Sequence, residues 1–206
     1  MRNRGRTRVF TEYSNRVGRG KLLWVGKPLG IIWNVVLCFA LSAASTGDFL
    51  IQKGKVGKLS VGMLASDIWK FYPREMIRGG FVYAEGMPQP VIEIRVSPGQ
   101  KEPSLTVSLG ETRDGRHTIA EGFEVLDKRF RTPVGIRPGS TIGLLRRAVQ
   151  GLTIESSEGV TVISSEDSTM GYYVDSDDRR LYDAEGNFKA ISELPGEIRI
   201  QSIWVP

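Results

Sequence analysis

Short stretches in which apolar and polar residues alternate, separated by turn signals, constrain this 206-residue chain more than any other feature. Val91-Ile-Glu-Ile-Arg-Val96 and Leu105-Thr-Val-Ser-Leu109 alternate along their length, and Val160-Thr-Val-Ile163 and Ile198-Arg-Ile-Gln-Ser-Ile203 do so in part. A period of two turns one side of each stretch towards a core and the other towards water, the pattern of half-buried antiparallel strands. Ser97-Pro-Gly-Gln100, Thr112-Arg-Asp-Gly-Arg116, Ser156-Ser-Glu-Gly159, Asp175-Ser-Asp-Asp178 and Asp183-Ala-Glu-Gly-Asn187 carry the Gly, Pro, Asn and Asp chemistry of turns. Their spacing suits hairpins rather than crossovers.

Two segments depart from this rhythm. Leu64, Ile68, Phe71 and Tyr72 recur at helical spacing, and so do Ile142, Leu145 and Val149. Each follows a strand-like pair and a glycine, Gly62 or Gly139, which suits a sharp turn from extended chain into helix. Ser140 or Thr141 is placed to cap the second helix. Leu59-Ser-Val-Gly62-Met-Leu-Ala-Ser-Asp-Ile68 aligns with Ile136-Arg-Pro-Gly139-Ser-Thr-Ile-Gly-Leu-Leu145, 77 residues further on. The expected fold is therefore α+β, an antiparallel sheet with two short helices, arranged as a tandem duplication of a helix-plus-sheet unit over about 57–127 and 134–206.

Gly57-Lys-Leu-Ser-Val-Gly-Met-Leu-Ala-Ser-Asp-Ile68 resembles the opening signature of SmpA/OmlA, or BamE-like, domains, in which a short strand, a glycine turn and a helix precede an antiparallel sheet. Thr132-Pro-Val-Gly-Ile-Arg-Pro-Gly-Ser-Thr-Ile-Gly-Leu-Leu145 is similar to a related segment of exported bacterial proteins. The tandem arrangement resembles β-lactamase inhibitor protein-like folds. These resemblances imply a small periplasmic α+β interaction module.

The distribution of charge leads to the same compartment. Residues 1–44 hold eight basic residues against Glu12, a net of +7, which leaves 20 basic and 22 acidic residues beyond them, a net of −2. The formal +5 of the chain is thus a property of its leader. After Lys27, the last of these basic residues, the leader holds seventeen residues without a charge, Leu29–Ser45, closing on small residues that fit a Ser42-x-Ala44 cleavage pattern. Residues 1–45 read as a secretory signal peptide or, uncleaved, as a membrane anchor. Either way the basic flank stays cytoplasmic and residues 46–206 are exported, periplasmic or extracellular. Cys38, the one cysteine, lies within the apolar run and follows Val36-Leu37, which is no lipidation context, so the exported part depends on burial rather than disulfides.

Catalytic equipment is sparse. His117, the single histidine, sits in turn-like Asp114-Gly-Arg-His, without a nucleophile-elbow sequence elsewhere. One histidine and no exported cysteine leave no ligand set for zinc or redox chemistry, and no phosphate loop is present, so no cofactor is expected. Asp175-Ser-Asp-Asp178 lacks the glycine and distal glutamate of a calcium loop and reads as a solvated turn, with weak Ca²⁺ binding as the alternative. Six basic residues and no acid lie between Lys128 and Arg147, while nine acids lie between Glu155 and Glu185. Arg129, Arg131 and Arg137 with Ser140 and Thr141 form the candidate anion or partner patch, weighed against mutual neutralisation of the two regions and solvation of the second helix by Arg146 and Arg147. Export and the lack of interleaved aromatics argue against nucleic acid. The expected duty is non-catalytic binding of a protein or another envelope component. The alternatives are a carboxylate-dependent hydrolase of envelope polymers and a membrane-anchored structural domain.

Overall fold

A computed structural model describes residues 46–84, 86–157, 159–165 and 168–206. The leader, with its expected cleavage or anchoring, lies outside them. Among the described residues no helix is long and apolar enough to cross a membrane.

The protein is mostly antiparallel sheet. Three two-residue strands, β1 (Ile51–Gln52), β2 (Lys55–Val56) and β3 (Leu59–Ser60), form a small meander. A one-turn helix, α1 (Ala65–Ile68), leads to β4 (Ile77–Ala84), β5 (Met87–Ile94), β6 (Leu105–Glu111) and β7 (Thr118–Val125). The second helix, α2 (Ile142–Ala148), leads to β8 (Leu152–Ser157), β9 (Val160–Ser165), β10 (Ser168–Val174) and β11 (Ile200–Val205). All eight longer strands join one sheet in the order β4-β5-β6-β7-β11-β10-β9-β8. The order reads as one meander followed by a second in reverse, joined through the last strand of each.

Backbone geometry repeats on either side of that junction. The Gly62 N–H donates to the Ala120 carbonyl at 2.8 Å, and the Ala120 N–H returns a bond to Met63. The Gly139 N–H donates to the Ile200 carbonyl at 2.7 Å, and the Ile200 N–H returns one to Ser140. Gly62 and Gly139 have φ of 80° and 87°, the positive region in which a side chain would be strained. Leu59 and Ile136, three residues ahead of each glycine, are fully buried, as are Ile68 and Leu145, six residues behind.

The first helix ends sooner than the spacing of Leu64, Ile68, Phe71 and Tyr72 predicts. After Ile68 the chain tightens into three-residue turns, with Lys70 N–H donating to Asp67 and Phe71 N–H to Ile68. Pro73 excludes helical geometry from Tyr72 and offers no N–H of its own. The second helix has the expected cap, Thr141 Oγ1 accepting from the Leu144 N–H at 3.3 Å.

Register separates the two faces of the sheet. Ile77, Ile94, Leu105, Val125 and Ile203 are successive partners across five strands, and Ile92, Val107, Phe123 and Val205 form the next row. These residues share one core with Ile68 of α1, Ile142 and Leu145 of α2, and Ile51, Val56 and Leu59 of the small meander. Burying each such side chain contributes about 1.5–3 kcal/mol. The helices and the small sheet therefore serve one face. The opposite face carries a different row, Arg78-Glu93-Thr106-Glu124-Trp204.

Candidate functional site

A cleft of about 420 Å³ opens on this opposite face, over the strands at the junction of the two meanders. Its walls include Thr106, Ser108, Glu121, Glu124, Tyr173 and Trp204. A bulge creates part of it: Ser108 pairs with Gly122 but Leu109 with Ala120, so Glu121 is an extra residue in β7. Bulges re-aim side chains and bend strands, and they recur beside functional sites. Two glycines make the remaining space. A Cβ on Gly122 would overlap Cζ2 and Cη2 of Trp204, and a Cβ on Gly110 would overlap the Glu121 carboxylate. The indole thus lies against β7 and the Glu121 side chain against β6 because neither glycine has a side chain.

Polar partnering is incomplete at the centre. The Ser202 hydroxyl donates to Glu124 Oε1 at 2.9 Å, which fixes one carboxylate oxygen. Thr106, directly across from Glu124, is 4% exposed, and its Oγ1 has no hydrogen-bond partner. A buried unpaired hydroxyl costs about 1–3 kcal/mol, so such atoms are uncommon in a folded core and call for a cause. No lysine, arginine or histidine among the described residues lines the cleft. Arg78 lies at the far end of β4 from the lining residues Val82 and Ala84 and pairs across to Glu93.

The basic segment singled out in the sequence lies away from this cleft, and its Arg129 has partners within the protein. Arg129 donates to Asp127 at 2.6 Å, to Ser97 at 2.5 Å and to Gln100 at 3.1 Å, and its guanidinium lies 5.8 Å from the Phe49 ring centroid. Burial alone would raise the Asp127 carboxyl, but hydrogen bonds from the Arg129 side chain and backbone, the guanidinium charge and Ser104 together hold it below the ordinary carboxylate value. The Arg131 backbone exchanges hydrogen bonds with Phe49 and Ile51. The Ser140 hydroxyl accepts from the Arg137 N–H, and Thr141 caps α2. Helix α2 has seven residues, and its first turn is already occupied by that cap. None of Arg129, Arg131, Arg137, Ser140 or Thr141 lines this cleft or the larger one beside Pro138. Arg146 is not a solvated residue of the outer helix face: its guanidinium donates to the Ile191 and Ser192 carbonyls at 3.0 and 2.7 Å, tying α2 to the chain ahead of β11.

That larger cleft, about 970 Å³, is formed by Pro138, Gly139 and the start of β11 among others. Of the basic run, Lys128 alone lines it. Arg180 on its wall donates to Asp178 at 2.6 Å and to Glu197 at 3.3 Å, so that guanidinium is paired within the protein. Asp175 accepts from the Asp177 N–H and Asp178 from the Arg180 N–H, the turn chemistry expected of that acidic stretch.

The smaller cleft was hidden in the sequence because its residues are spread over several strands, on the face that alternation assigns to solvent, and because β7 departs from alternation. Glu121 and Gly122 interrupt the period of β7 at the bulge, and Trp204 stands two residues from the end of the chain. The available signal was Tyr172-Tyr173, whose members do turn to opposite faces, Tyr172 into the core and Tyr173 into the cleft.

Fold and site define an antiparallel α+β protein with an acidic, aromatic cleft on the face of its sheet away from the helices. No family model matches the chain, and no curated protein matches it. Among solved structures it is similar to the uncharacterised protein YfeY from Escherichia coli, with a TM-score of 0.51 and 19% identity over 77% of this chain and 98% of that one. That likeness shows the fold.

Proposed function

We propose that this protein is an exported cell-envelope module that binds a protein or another envelope component and catalyses no reaction. The cleft around Thr106 carries the reading: a bulge, two glycines and a buried unpaired hydroxyl stand where a packed apolar face would be more stable. Location rests on the +7 leader and its uncharged run of seventeen residues. The repeated glycine-to-strand bonding and the mirrored strand order support descent from a duplicated helix-plus-sheet unit. The resemblance to SmpA/OmlA and β-lactamase inhibitor protein-like domains agrees with this architecture. The test is a photo-crosslinking side chain at Ser108 in exporting cells, with intact-mass measurement of the recovered protein. An adduct at Ser108 and none at Arg137 is expected, whereas no adduct at Ser108 overturns the reading.

A hydrolase is the second reading, because Glu121 and Glu124 share one cleft and paired carboxylates suffice for glycoside hydrolysis. Release of soluble fragments from envelope polymers, abolished by Glu121→Gln or Glu124→Gln, would establish it in place of the first.

A further inference from the structure

We infer that the cleft at the junction of the meanders takes an organic cation, an alkylammonium or guanidinium group. The inference rests on the binding reading above and names its ligand chemistry. Glu121 and Glu124 supply negative charge from one strand, and the described lining holds no basic side chain to neutralise it. Thr106 lines the cleft beside Glu124 at only 4% exposure, and its Oγ1 lacks a partner that a donor seated against that wall would supply. Tyr173 and Trp204 complete the wall, and aromatic rings attract organic cations through the negative charge of their faces. An ammonium has three N–H donors and a guanidinium five, enough for two carboxylates and a hydroxyl. Anionic ligands are disfavoured by the two glutamates, and a volume of about 420 Å³ admits one side chain or a small amine, not a folded surface.

The group has two natural sources, a free amine or a lysine or arginine side chain of a partner protein. Titration of the full chain in non-ionic detergent separates them, read by calorimetry and by the Trp204 indole N–H resonance, assigned with Trp204→Phe. The probes are 1,4-diaminobutane, end-blocked Gly-Lys-Gly and Gly-Arg-Gly, and a neutral chitin trisaccharide. At least one cation is expected to bind and shift the indole resonance, and the tightest binder identifies the source. Glu121→Gln with Glu124→Gln, which preserves side-chain shape and the Ser202 acceptor, should weaken binding about tenfold or more. Thr106→Val should weaken it several-fold with folding intact, Glu102→Gln in the larger cleft should leave it unchanged, and raised salt should weaken it.

Cation binding that survives the double glutamine change overturns the inference, as does the absence of any cation-dependent shift up to about 10 mM. If the trisaccharide shifts the indole and the cations do not, the cation inference falls and the binding module stands. If no probe moves it and Ser108 yields no crosslink, both fall.

Discussion

At the scale of single residues, the cleft is held open by what is missing from β7 and β6. Gly122→Ala places a methyl group inside the Trp204 ring. The strand cannot yield without disturbing its pairing to β6 and β11, so the indole must move. Overpacking of this kind costs about 1–3 kcal/mol, and urea unfolding should show that loss together with a shifted tryptophan emission. Tyr72 gives a second residue-level prediction. Burial, aided by the charge of Asp48, pushes its phenol from 10.0 up to about 12. The folded protein thus holds this proton more tightly than the unfolded chain does. Its contribution to stability is complete below pH 10 and is lost as pH rises from about 10 to about 12. Tyr72→Phe should flatten that part of the stability profile, and an unchanged alkaline profile would contradict the assignment.

At the scale of elements, the glycine turns ahead of α1 and α2 do equivalent work. Each swings the chain out of an extended segment and fixes it by two backbone bonds to a terminal sheet position, Ala120 in β7 or Ile200 in β11. Neither glycine has a neighbour within 4 Å of a Cβ position, so Gly62→Ala and Gly139→Ala test conformation without steric clash. Each should cost about 1–2 kcal/mol in denaturant unfolding. A loss at one site only would show that the two turns are not equivalent. These turns were legible in the sequence because a glycine set between an apolar residue such as Leu59 or Ile136 and a helical run marks a sharp change of backbone direction. So were β5, β6 and β11, from the alternation of their apolar residues, and β9 as a strand, although its buried residues are Thr161, Ile163 and Ser165 and not Val160 and Val162. The strand β4 was hidden by Gly79-Gly80, and β7 by its bulge, since period-two reasoning presumes an unbroken pleat. Helix α1 was overextended because Phe71 and Tyr72 keep helical spacing although Pro73 bars Tyr72 from the helix.

At the scale of the whole molecule, pairing of β7 with β11 fuses the two meanders into one sheet backed by one core. Residues from both meanders, such as Val125 and Ile203, are direct partners, so neither half keeps its core without the other. Charge segregation along the chain is easily counted in a sequence, but it points to Lys128–Arg147, where the fold places local partners for Arg129 and Arg146. The acidic cleft is illegible in the sequence because Thr106, Glu124, Tyr173 and Trp204 are brought together only by register across four strands. The central claim is that this face, and not the basic segment, binds. Backbone amide shifts during titration with 1,4-diaminobutane or the basic tripeptides test it most directly. The account predicts perturbations concentrated at Thr106–Ser108, Glu121–Glu124, Tyr173 and Trp204. Perturbations centred on residues 128–147, with these strands silent, would contradict it.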